Sequence, residues 1–248
     1  MPTELIAIAL IGLIATAVYT SVGFGYALVF IPAATLIVGV EPSVASMLVA
    51  GPLVGGFLYY RDTPRTSLLD IAPVSTVSLI TLPIGIWILL HADDDLLRVI
   101  VGTGVLISIA VEQFSGGSED TEREPRLKIA IVAGLITGLM RGSTSMGGPP
   151  QVLYYRWLGG GAWRFRSRMF SGMAASGIPT IIMAGASGVF NAETIPTVLI
   201  TLPATAVGMA LGMRIRPLMS DSQLRLISSL LLVATSLLAI ATGASVLL

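Results

Sequence analysis

The stretch Arg141–Gln151, "RGSTSMGGPPQ", decides how this chain is read. A permanent cation is followed by Ser143, Thr144 and Ser145, then by Gly147, Gly148, Pro149 and Pro150, all inside a strongly apolar sequence. A plain helix cannot run through this segment. Proline removes a backbone donor, and its ring clashes with the carbonyl four residues back. The stretch is therefore a break between two helices. Pro149 suits the first turn of the second one, where its missing N–H is no loss.

The sequence around the break is that of a membrane protein. Of its 248 residues 54% are hydrophobic and 11% charged, and the mean hydropathy is +0.88. Soluble domains carry about a quarter charged residues. Charge-free runs such as Ile71–Leu90, "IAPVSTVSLITLPIGIWILL", are long enough for a bilayer core, which needs about 20 residues. These runs are apolar on all sides and lack the alternation of a membrane β-barrel. The fold class expected is an all-α polytopic membrane protein.

Several chemistries are excluded. The chain has no cysteine, so it forms no disulfide or thiolate site, and its single histidine, His91, cannot build a multi-His metal centre. No paired carboxylates fall in the apolar runs, so no catalytic constellation is present and no enzyme activity, metal or cofactor is expected. The zero formal net charge gives no sign of nucleic-acid binding. The N-terminal "MPTELIAIAL" lacks a basic n-region, so a cleaved signal peptide is not expected.

The break has a counterpart. Five apolar pieces (Leu5–Tyr19, Tyr26–Gly39, Ser43–Tyr60, Ile71–Leu90 and Leu96–Gln113) precede the hydrophilic "SGGSEDTEREPR". Five more follow: Leu127–Met140, Pro149–Leu158, Met169–Gly188, Ile195–Met213 and Leu224–Leu247. "GLIATAVYTSVGFG" from Gly12 pairs with "GLITGLMRGSTSMG" from Gly134, "LITLP" at Leu79 recurs at Leu199, and "LLRVI" at Leu96 pairs with "QLRLI" at Gln223. Three ordered matches at nearly one period indicate an internal duplication. The expected organisation is a first membrane repeat over 1–113, a linker over 114–126 and a second repeat over 127–248.

Charge placement orients the halves. Arg61 and Arg65, Arg123, Arg126 and Lys128, the cluster Arg156, Arg164, Arg166 and Arg168, and Arg214, Arg216 and Arg225 all fall on one side if that side is cytoplasmic. Only Arg98 then lies outside, with Glu4, Glu41, Asp93, Asp94, Asp95 and Glu193, while Arg141 lies within the membrane. This path puts both termini outside and the linker inside, and the two repeats face opposite ways.

The first two pieces of each half hold about 10–15 residues, covering about 15–22 Å of a core about 30 Å thick. Each pair is expected to be a short-helix hairpin with its tip near mid-membrane, followed by three transmembrane helices. The tips are "TSVGFG" (Thr20 to Gly25) and "RGSTSMGGPP". Interrupted segments at matching places in inverted halves point to a transporter's binding site. The chemistry favours an anion: helix N-termini supply N–H donors and a positive dipole end, and Ser21, Ser143, Thr144 and Ser145 supply hydroxyls. Arg141 supplies fixed charge; no acidic residue lies in either hairpin to balance it. Alternatives remain. Glycines in membrane helices serve close packing, Arg141 can pair with Glu112 or reach an interface, and Tyr154, Tyr155, Trp157 and Trp163 read as an interfacial belt.

The duplicated "G-L-I-x-x-x-x-x-x-S-x-x-x-G" blocks, the second tip "STSMGGPP", the chain length and the linker between halves resemble the sulfite exporter TauE/SafE family. The resemblance covers nearly the whole chain. It implies a secondary transporter that exports sulfite or a small organosulfur anion, such as sulfoacetate, across the bacterial inner membrane. The family's glycine-rich blocks fall on Gly23, Phe24 and Gly25, and on Ser145, Met146, Gly147 and Gly148. The first tip, "SVGFGYAL", is less glycine-rich than the family's blocks and has no proline pair. With Ser21, Arg141, Ser143, Thr144 and Gln151, these residues form the expected anion site, opened to each face in turn by alternating access. An anion channel filtering at the same tips, or a carrier of another small anion such as thiosulfate, is the other reading. The expected partners are the anion and the lipid bilayer, and a homo-oligomer is compatible with the sequence.

Overall fold

The computed structural model describes residues 2–22, 25–62, 66–114 and 121–218. Gly23, Phe24, Arg65, residues 115–120 of the linker and the tenth piece, Leu224–Leu247 with Arg225, lie outside the described residues, as does the side chain of Glu112.

The described residues form helices and no strand. In chain order they are α1 (Pro2–Val22), α2 (Tyr26–Val38), α3 (Val40–Asp62), α4 (Leu68–His91), α5 (Asp94–Phe114), α6 (Leu127–Thr144), α7 (Gly148–Leu158), α8 (Gly161–Ala186) and α9 (Ile195–Ile215), with a 3₁₀ turn at Arg216–Leu218. Among them α1, α3, α4, α6, α8 and α9 are long and apolar enough to cross a bilayer. The chain is a multi-pass membrane protein.

One expectation needs correction. The first member of each hairpin is not short: α1 has 21 residues and α6 has 18. Only the second members are short, α2 with 13 residues and α7 with 11. The polar residues at the ends of α1 and α6 are helical, and three of their hydroxyls are satisfied by the preceding turn. Ser21 Oγ donates to Ala17 O at 2.8 Å, Ser143 Oγ to Leu139 O at 2.9 Å and Thr144 Oγ1 to Met140 O at 2.9 Å. Each pair is thus a full-length helix followed by a half-length return.

The helices pack chiefly as α4 on α6, α1 on α9 and α3 on α8, with α3 also on α9 and α4 on α8. Exchanging the halves (α1 for α6, α3 for α8, α4 for α9) leaves this pairing unchanged. α3 is the most enclosed of the six long helices, so the α3–α8 crossing is central among the described helices.

Small residues set these crossings. Gly134, Gly138 and Gly142 recur every fourth residue on α6 and let it lie against α4. A Cβ on Gly138 would stand 2.1 Å from Ser78 O, and one on Gly142 would stand 2.5 Å from Leu82 O. Thr81 Oγ1 bridges the same contact to Leu135 O at 3.0 Å. On the other flank a Cβ on Gly208 of α9 would lie 2.3 Å from Leu13 O of α1. Such approach lets van der Waals packing hold helices together in lipid, where no hydrophobic force does. Because backbone atoms meet here, Gly138→Ala is expected to cost at least the upper end of the overpacking range, about 3 kcal/mol. A clear fall in the detergent-solubilised melting temperature is the expected reading; a melting curve matching wild type would contradict this packing.

Candidate functional site between the two tips

The second tip is built by a strained turn. Ser145 caps α6 in the left-handed region at φ 56°, the only non-glycine there among the described residues. Its N–H bonds Arg141 O at 2.9 Å. Such strain costs about 1–3 kcal/mol and clusters at ligand sites. Ser145 Oγ donates to Val44 O of α3 at 3.2 Å, tying the tip to the central helix. At Gly147 the backbone folds tightly: a Cβ would lie 2.6 Å from Thr137 O and 2.9 Å from Arg141 Cβ. The first tip turns at Gly25, which caps α2 at φ 101°. A Cβ there would meet nothing within 4 Å, so this glycine faces open space.

The tips meet. A cavity of about 70 Å³ lies between Gly25, Tyr26, Ala27 and Leu28 on one side and Arg141, Ser145, Met146, Gly147, Gly148, Pro149 and Gln151 on the other. A second lobe of about 50 Å³ shares Tyr26, Ala27, Arg141 and Ser145 and extends to Met47, Gly51 and Pro52 of α3 and Ser176 and Thr180 of α8. Since one water occupies about 10–15 Å³ by this measure, each lobe has room for a small ion. Gly51 and Ser176 lie near the middles of α3 and α8, so the cavity sits about halfway along these two helices.

Its donors are distinctive. Arg141 donates from Nη1 to Ser176 Oγ at 2.7 Å, and Ser176 Oγ donates to Gly172 O at 2.8 Å. No carboxylate pairs with Arg141 among the described residues. Gln151 is 1% exposed, yet its Nε2 has no hydrogen-bond partner among the described residues. The N-terminus of α2 has no side-chain cap, and its first intrahelical bond is Val29 N–H to Gly25 O at 3.1 Å. The N–H groups of Tyr26, Ala27 and Leu28 precede that bond, and these residues line the cavity.

The tips divide the work unevenly. α7 starts at Gly148, one residue before the expected start, and Pro149 and Pro150 delete two of its first-turn donors. The backbone donors therefore come mainly from the first tip, and the side-chain donors, Arg141 and Gln151, from the second. Ser21, Ser143 and Thr144 do not line the cavity; their hydroxyls are engaged along α1 and α6. Ser21 Oγ also reaches Gly212 O of α9 at 3.3 Å. Gly23 and Phe24 lie outside the described residues.

Three features went unread in the sequence. Ser176 and Met173 enter the site from α8, with Tyr19 Oη donating to Met173 Sδ at 2.7 Å; a serine or methionine in an apolar helix carries no local mark. Arg168, grouped with the loop arginines, is 3% exposed and holds Asp70 Oδ2 at 2.8 Å, Glu122 Oε1 at 2.9 Å and Gly159 O at 2.6 Å. Tyr154 and Tyr155 are not an interfacial belt: they are 1% and 0% exposed. They sit on the short α7, which the fold encloses. Trp163 is exposed, while Trp157 packs under Arg123 and Arg126 of the linker.

The family model described as "Sulfite exporter TauE/SafE" matches residues 8–239 of the chain. No curated protein and no solved structure matches it.

Proposed function

The chain belongs to the sulfite exporter TauE/SafE family of membrane anion transporters, and on that premise we propose that it carries sulfite or a small organosulfur anion bound between its two tips. One observation carries this reading: two donors, the half-buried Arg141 without a carboxylate and the buried Gln151 Nε2 without any partner among the described residues, converge on a cavity at an uncapped helix N-terminus. Buried donors are normally satisfied, and an uncapped N-terminus favours an anion. A small oxyanion satisfies all of these groups at once.

Transport is by alternating access. The symmetric pairing of the halves supports two repeats that rock about the central α3–α8 crossing. The halves are 1–113 and 127–248, in opposite orientations in a bacterial inner membrane, with the linker cytoplasmic and both termini outside. Labelled sulfite uptake into proteoliposomes, compared with sulfate, thiosulfate and sulfoacetate, tests the reading. Saturable uptake with counterflow is expected; non-saturating flux would instead mark a channel. Gln151→Leu is expected to weaken sulfite binding roughly 10- to 100-fold, the value of a hydrogen bond to a charged group. Its melting temperature should not fall, because the lost donor is unpartnered in the free protein.

A further inference from the structure

The inward face of α8 carries Arg168, Gly172, Ser176 and Thr180, each four residues from the next and so aligned on one side of the helix. Arg168 holds Asp70 at one end of this stripe, and Ser176 holds Arg141 two turns further on. Between them the missing side chain of Gly172 gives its place to the Tyr155 hydroxyl. A Cβ there would lie 3.0 Å from Tyr155 Oη and 3.7 Å from Ser75 Oγ. Tyr155 is 0% exposed and Ser75 4%, and neither hydroxyl has a partner among the described residues. Tyr154 Oη, beside the Asp70–Arg168 pair, is also buried without one. Thus α4 and α7 both aim unpartnered hydroxyls at the stretch of α8 that separates the half-buried Asp70 carboxylate from the anion cavity.

Native interiors satisfy such groups with bound water. Successive positions of the stripe are about 6 Å apart along the helix, a gap that one water spans with two hydrogen bonds. We propose that a file of water runs from Asp70 past Ser75 and Tyr155 to the Arg141 cavity and carries a proton that moves with the anion. The second half of this statement rests on the anion site proposed above. Arg141 is permanently charged and cannot itself release a proton, so the proton needs another carrier. Asp70 is faced by Arg168 from α8, by Tyr154 and Tyr155 from α7, and through Arg168 by Glu122 of the linker, which Arg164 also holds. In the transfer, an O–H bond of a hydronium entering from the water outside at the Asp70 end breaks as an O–H bond forms on the next water. Each following oxygen gains one proton and passes another on, and the last proton bonds to an oxygen of the anion. One proton moves in total, every hydroxyl ends as it began, and the Asp70 carboxylate stays paired with Arg168.

Two measurements test this. Hydroxyl-radical footprinting of the purified full chain reads bound water directly, whatever the substrate. Tyr155 is expected to be oxidised several-fold faster, after correction for intrinsic reactivity, than the equally buried Phe30 and Phe170. Protection equal to theirs would overturn the water file. In proteoliposomes Tyr155→Phe keeps the ring and removes the hydroxyl. It is expected to lower sulfite accumulation driven by a pH gradient at least tenfold, while sulfite–sulfite exchange and the sulfite-induced thermal shift stay at wild-type values. Wild-type gradient-driven accumulation in that variant would overturn the proton path. A wild-type protein showing no sulfite thermal shift would count against the anion site instead, and the footprint would still decide the water file.

Discussion

Arg141→Ala is expected to abolish anion binding without unfolding the protein. Truncating one partner of a buried, hydrogen-bonded charge pair costs about 2–5 kcal/mol, roughly 30-fold to several-thousand-fold in Kd. The sign of the stability change separates this role from a structural one. A structural arginine would be paired with a carboxylate, and its removal would strand that carboxylate. Arg141 has only Ser176 Oγ, which keeps its own bond to Gly172 O when the guanidinium is gone. An arginine in a membrane-crossing helix carries an insertion cost, up to about 2.5–3.5 kcal/mol at the helix centre even on the mild scale, and alanine removes it. The ligand-free melting temperature of Arg141→Ala should therefore equal or exceed that of wild type, while the sulfite-induced rise in melting temperature disappears. That rise is the linkage expected of any ligand that binds only the folded state. Full-strength sulfite binding by the variant would remove Arg141 from the site. Arg141→Lys should fall between, since lysine keeps the charge and loses the planar fork.

Arg168→Ala is expected to have the opposite profile. Arg168 and Asp70 are 3% and 13% exposed, and the guanidinium also holds Glu122 and Gly159 O. Removing one partner of a buried ion pair leaves an uncompensated charge and costs about 3–5 kcal/mol. The loss falls where the linker, the start of α4 and the α7–α8 corner are tied together, and Arg123 N–H to Leu158 O at 2.8 Å is the next tie in that junction. The variant should melt far below wild type. Adding Asp70→Asn should recover part of the loss, because the stranded charge goes with it. A melting temperature near wild type in the single variant would mean that the pair contributes little.

The helical membrane fold was legible because composition and run length report it directly. Ile71–Leu90 is apolar on every face, and α4 over Leu68–His91 contains it whole. The break at Ser145–Gly147 was legible too, since two glycines and two prolines leave a helix no way through. The lengths of α1 and α6 were misjudged at their polar ends. Thr20, Ser21 and Arg141 to Thr144 look like loop in sequence, yet all lie within α1 and α6, where the hydroxyls of Ser21, Ser143 and Thr144 close on the carbonyl one turn back.

In the site, Arg141 and Gln151 could be singled out because a charge and an amide are conspicuous in an apolar chain. Ser176 and Tyr155 could not, since their roles come from what faces them across α6, α7 and α8. Sequence position likewise grouped Arg168 with the solvated arginines around it, and only packing against α4 and the linker distinguishes it.

By itself, then, the sequence determined an all-helical membrane protein with a break inside Arg141–Pro149, because local backbone chemistry and the thickness of a bilayer decide both. The tertiary structure alone decided that Gly25 and Arg141 face one cavity, that α2 rather than α7 supplies its backbone donors, and that Arg168 is the buried tie. Each of these depends on which helices lie against each other, and that is set by glycines meeting backbone at the α4–α6 and α1–α9 crossings, a contact between residues far apart in the chain.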